Sequence, residues 1–76
     1  MPANAYVLLN VEPARTHQVL EVLRGLQGTL VREVLGPFDI VVELEAPTME
    51  ALTSILRSKI RTVPGVTSTV TCTWMG

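Results

Sequence analysis

Apolar and polar positions change their period repeatedly along this chain, and each change marks an element. Residues 5–11 are apolar almost throughout and rich in strand formers, as expected of a strand covered on both faces. Glu12-Pro13 ends that run, and Pro13 suits a first helical turn, where its missing N–H has no partner to lose. From there to Leu26 the period becomes helical. Val19, Leu23 and Leu26 form a stripe with Leu20 and Val22 at its margins, while His17, Glu21 and Arg24 share the opposite face. Gly25 and Gly28 bracket the exit. Residues 30–35 read as a second strand, which Gly36-Pro37-Phe38-Asp39 turns back into an alternating third strand from Ile40. Ala46-Pro47 opens a second helix in the manner of the first, with Leu52, Ile55, Leu56, Ile60 and Val63 buried, Met49 at the N-terminal edge, and Arg57 and Arg61 turned away. Pro64-Gly65 stops it. In the last strand, residues 66–74, Val66, Ser68, Val70, Cys72 and Trp74 alternate with Thr67, Thr69, Thr71 and Thr73.

The order is βαββαβ, with Val11-Glu12-Pro13 echoed by Leu44-Glu45-Ala46-Pro47. Two such halves with right-handed crossovers give an α+β fold, the ferredoxin-like plait: a four-stranded antiparallel sheet with two helices on one face. The helix-facing side takes Ile40, Val42, Leu44, Val66, Val70 and Cys72. The other shows Tyr6, Leu8, Val41, Glu43 and the threonines, a surface too apolar to be left in water. It predicts a dimer built sheet against sheet, a dimeric α/β barrel.

Size and charge narrow the reading further. Seventy-six residues make one domain, residues 1–76, and bury too little surface to be robust alone. A single cysteine allows no internal disulfide and no ligand cluster has metal-site spacing, so association is the remaining source of stability. Six Lys and Arg against seven Asp and Glu leave no footprint for a phosphate backbone, which excludes direct nucleic-acid binding. No apolar run approaches the roughly 20 residues a bilayer requires, and the start has no signal-peptide pattern; the expected location is cytoplasmic.

The candidate chemistry is sparse. His17 falls on a solvated helix face, Cys72 reads as inert core, and nothing assembles a nucleophile, a base and an orienting group. No cofactor is expected, no metal and no catalysis. The hairpin tip is different. Gly36, Pro37 and Asp39 are explained by turn chemistry, but a phenyl ring at an exposed turn needs a cover. Asp39 can meet an ammonium group, backbone N–H groups near Gly36 a carboxylate, and Phe38 an apolar side chain. Together these are the needs of a free amino acid.

Gly36-Pro37-Phe38-Asp39-Ile40-Val41-Val42, then residues 47–52, then the closing Pro64-Gly65-Val66-Thr67-Ser68-Thr69-Val70-Thr71 resemble the effector domain of Lrp/AsnC transcriptional regulators, also called the domain for regulation of amino-acid metabolism. The resemblance implies a plait that dimerises through its sheet, with dimers closing into octamer-type rings and an amino-acid effector lodged between dimers. Carried over, Gly36, Pro37, Phe38 and Asp39 line the site from one subunit with Met49 near its apolar pocket, and Thr69 and Thr71 approach from another chain. Two departures stand out. The family's regulators carry a DNA-reading helix-turn-helix, whereas this chain begins at its first strand, and Pro37 replaces a more polar turn residue. The expectation is a stand-alone regulatory module acting through partners, by mixed assembly with a full-length regulator or contact with an enzyme. The alternatives are a small dimeric α+β-barrel enzyme of monooxygenase type, an ACT-like regulatory domain, and a ligand-free oligomerisation module.

Overall fold

The computed structural model describes all residues, 1–76. β1 (Ala3–Val11), α1 (Thr16–Arg24), β2 (Thr29–Glu33), β3 (Ile40–Ala46), α2 (Met49–Ile55) and β4 (Val66–Met75) follow in the expected order. The sheet runs β2-β3-β1-β4 and every pairing is antiparallel. Both helices pack on one side of it, so the fold is the ferredoxin-like α+β plait.

The core lies between the layers. β1 contributes Ala3, Ala5, Val7, Leu9 and Val11, β3 contributes Ile40, Val42, Leu44 and Ala46, and the helical segments add Val19, Leu20, Leu23, Leu52 and Ile60. These alternate strand positions are buried because successive strand side chains point to opposite faces and only one face carries helices. The complementary positions of β1 are not covered within the chain: Tyr6 is 44% exposed and Leu8 half-buried. The two-sided cover expected for β1 is thus met on one side.

Helix boundaries are set by local chemistry. Pro13 opens a 3-10 turn (Pro13–Arg15), where its missing donor is harmless, and the α-helix proper begins at Thr16. α1 ends before Leu26, whose carbonyl accepts the Thr29 hydroxyl at 2.8 Å. Pro47 does not itself open α2: Thr48 is the N-cap, its hydroxyl oxygen accepting from the Ala51 N–H at 3.1 Å. Past Ile55 the helix widens into a π-turn (Leu56–Ile60), with the Arg61 N–H donating to the Leu56 carbonyl at 3.0 Å. Leu52 and Ile60 are both fully buried although eight residues apart. At about 100° per residue they would diverge by about 80° in a uniform α-helix, and the wider turn takes up part of that difference. The chain then reverses at Gly65, where φ is +101° and an added Cβ would lie 2.9 Å from Arg15 Cβ and 3.1 Å from Val19 Cγ2.

Two sequence expectations are corrected. β2 stops at Glu33, so the hairpin connection is longer than the four-residue turn and is closed by the Val34 N–H donating to the Asp39 carbonyl at 2.9 Å. The second correction concerns β4. Val66 pairs with Val11 but Ser68 pairs with Asn10, so Thr67 is an extra residue and the register shifts there. Beyond this bulge the faces are the reverse of the expected ones. Val70, Cys72 and Trp74 lie across from Leu8, Tyr6 and Asn4 on the open face, and Thr69, Thr71 and Thr73 lie on the helix side across from Leu9, Val7 and Ala5. Cys72 is accordingly exposed rather than core. Tyr6 and Trp74 stack with ring centroids 4.8 Å apart.

Candidate functional site

Asp39 is built into the sheet. Its N–H donates to the Leu9 carbonyl at 2.9 Å, and its carboxylate Oδ2 accepts from the Val11 N–H at 3.0 Å. The side chain therefore continues the β1–β3 ladder past Ile40 by standing in for a backbone carbonyl. Its other oxygen has no partner within the chain, so a structural role and a ligand role can coexist. Phe38 and Asp39 are both half-buried, whereas Gly36 and Pro37 are exposed. The fully exposed apolar residue of the tip is Leu35, which the sequence pattern alone does not single out.

Thr69 shares this end of the sheet. It pairs with Leu9 from the side opposite Ile40, which puts the backbones of Ile40 and Thr69 two strand spacings apart, about 10 Å. Thr71 is two residues further along, opposite Val7, and is exposed because β4 is an edge strand at the margin of the helical cover. Met49 is elsewhere. It follows β3, whose six steps from Ile40 to Ala46 span about 20 Å, and so begins α2 at the far end from the tip. One protomer thus gathers Phe38, Asp39 and Thr69 at one end and leaves Met49 at the other.

Two concavities bear on these residues. At the tip end, Arg61, Val66, Thr67, Ser68 and Thr69 line a small cleft of about 210 Å³. Arg61 has no ion-pair partner, since the pairs formed are Glu12–Arg15 at 3.4 Å and His17–Glu21 at 3.0 Å, both at exposed positions. An unpaired guanidinium beside hydroxyls can take a carboxylate. Arg61 was legible only as a residue off the apolar stripe; its position beside Thr67 and Thr69 follows from the reversal at Gly65. The second concavity is an open groove of about 450 Å³ along α2, lined by Met49, Glu50, Thr53, Ser54, Arg57 and Ser58. No group of three His, Cys, Asp or Glu residues is placed to hold a metal ion.

Comparison with known proteins gives this geometry a context. Solved structures with the same fold include FFRP-DM1, with a TM-score of 0.91 and 24% identity over 96% of this chain and 99% of that one. TTHA0845 from Thermus thermophilus has a TM-score of 0.89 and 25% identity over 97% and 94% of the two chains. The transcriptional regulator NMB0573 of Neisseria meningitidis, solved as a complex with L-Met, gives 0.82 and 13% identity over 97% of this chain and 50% of its own. The chain thus spans about half of that regulator, and likewise 51% of E. coli AsnC. Among curated proteins no sequence match was found. The family model of the Lrp/AsnC ligand binding domain matches residues 4–76. The chain belongs to the Lrp/AsnC ligand-binding domain family.

Proposed function

We propose that this protein is a regulatory module that binds a small amino acid where the hairpin tip of one copy meets β4 of another, and that it acts on transcription or metabolism only through partners. The observation that carries the proposal is the match of residues 4–76 to a ligand-binding family, and the L-Met complex of a structural relative supports the ligand class. The ligand's ammonium group would meet Asp39 and its carboxylate the backbone N–H groups near Gly36, with Arg61 as a further candidate. Phe38 would flank its side chain and Thr69 and Thr71 would come from the second copy. Met49, distant from the tip in its own chain, belongs to the site only if a neighbouring copy brings it there.

Assembly follows from the open sheet face. Tyr6, Leu8, Val41, Val70 and Trp74 lie there without cover, and a second copy of the same face buries them. Pairing of such dimers into a ring, or mixing with a full-length regulator, would then bring tip and β4 edges together. No catalytic step is assigned. The space between sheet and helices is filled by aliphatic side chains, which leaves a monooxygenase-type enzyme without its polar cavity.

Thermal denaturation in the presence of each of the twenty amino acids tests the proposal. A ligand at about 100 times its dissociation constant adds roughly 2.7 kcal/mol, a shift of roughly 10–20 °C for a domain this small. Asp39→Asn keeps an acceptor for the Val11 N–H while removing the charge, so it is expected to lose the ligand shift and retain the melting point of the free protein. If no amino acid moves the wild-type melting point, the ligand-free oligomerisation reading replaces this one.

A further inference from the structure

The sheet accounts for one layer of the molecule, and the helical layer carries a surface of its own. Along α2 and its π-turn, Met49, Thr53 and Arg57 form one row at four-residue spacing and Glu50, Ser54 and Ser58 form the next, with the groove of about 450 Å³ between them. A groove between two such rows is the shape into which a row of side chains from a second helix packs. Two of the three hydroxyls along it are already committed, Thr53 donating to the Met49 carbonyl at 2.9 Å and Ser58 to the Ser54 carbonyl at 2.6 Å, while the Ser54 hydroxyl is left for a partner. Covering the groove would strand no hydroxyl hydrogen of Thr53 or Ser58.

The charges identify the occupant. Glu50 and Arg57 both line the groove, and neither enters an ion pair within the chain. Seven residues separate them, about 10 Å along the axis at 1.5 Å per residue, with Thr53 and Ser54 midway. A two-fold axis through that midpoint, with the helices antiparallel, sets Glu50 of each copy against Arg57 of the other. Both contacts are then satisfied at once, and a parallel arrangement would place like charges together. We infer that α2 is a self-complementary docking face for α2 of a second copy, joined at its ends by reciprocal Glu50–Arg57 pairs. It is separate from the open sheet face, so a chain using both faces can assemble beyond a dimer. The inference does not depend on the effector site.

The test is a charge swap read by mass. Glu50→Arg and Arg57→Glu are each expected to lower the mass reached above the sheet-paired dimer in analytical ultracentrifugation, with melting temperatures near wild type because both positions are exposed. The double variant E50R/R57E is expected to recover it. The two single variants mixed together are expected to recover it as well, since a helix with arginine at both positions then faces one with glutamate at both. Higher salt should weaken the wild-type association. The inference is overturned if wild type does not associate beyond the dimer, if the single variants leave its mass unchanged, or if they abolish an amino-acid-induced thermal shift without changing the mass. Loss of the dimer itself in the single variants would support helix pairing and refute the sheet-to-sheet reading instead.

Discussion

Asp39 shows how one side chain can be part of the scaffold and still keep a carboxylate oxygen free. Its Oδ2 completes the ladder at the partly buried Val11 N–H, so truncation leaves that donor without an acceptor. Asp39→Ala is expected to lose about 1–3 kcal/mol in urea denaturation, and Asp39→Asn clearly less. Equal losses would mean that the hydrogen bond to Val11 contributes nothing. The sequence marks Asp39 as a turn residue able to bond its own backbone. Its partner, 28 residues upstream, is not legible there because it depends on how β1 and β3 are registered. Arg61 teaches the same lesson from the other side: its residue type suits a carboxylate, but only the reversal at Gly65 brings Thr67 and Thr69 next to it.

Elements are legible where periodicity has one interpretation. The buried positions of β1 and β3, and Val19, Leu23 and Leu52 on the helices, follow from periods of 2 and about 3.6, whereas the burial of Ile60 also needs the π-turn. β4 defeats that reasoning because alternation carries through Val66, Thr67 and Ser68 without interruption, while one inserted residue exchanges the faces of everything beyond it. Nothing in Val-Thr-Ser-Thr marks the bulge: all four are good or neutral in a strand. Its tertiary cause is visible in the pairing, which gathers Val70 and Trp74 with Leu8 and Tyr6 on one face. Since Thr67 is the surplus residue, deleting it should leave every other residue on its present face. The deletion variant is expected to stay within about 1 kcal/mol of wild type and to keep the near-ultraviolet circular dichroism of the Tyr6–Trp74 pair. A changed aromatic signal would place the register shift elsewhere.

For the whole molecule, the relevant fact is that 15 of 76 residues are buried, all of them apolar and all between the two layers. A fold with one covered sheet face and an apolar uncovered one is stable in water chiefly when the second face meets a partner. Cys72 reports on this directly, because it is exposed on that face opposite Tyr6. Alkylation of Cys72 is expected to be slow at high protein concentration and to accelerate on dilution as sheet-paired dimers separate. A rate independent of concentration would show that this face stays open. No helix is long and apolar enough to cross a membrane.

The order of strands and helices, the inward residues of the two central strands and the glycine and proline turns at Gly25, Pro47 and Gly65 were determined by the chain itself, because each rests on interactions within a few residues. Tertiary pairing decided the rest: which face β4 presents, that Cys72 and Trp74 lie outside the core, that Asp39 is anchored to Val11, and that Met49 lies a strand's length from the hairpin tip. Those facts depend on register between segments distant in sequence, and a one-residue difference in register, of little consequence to local propensity, moves a side chain to the opposite side of the sheet.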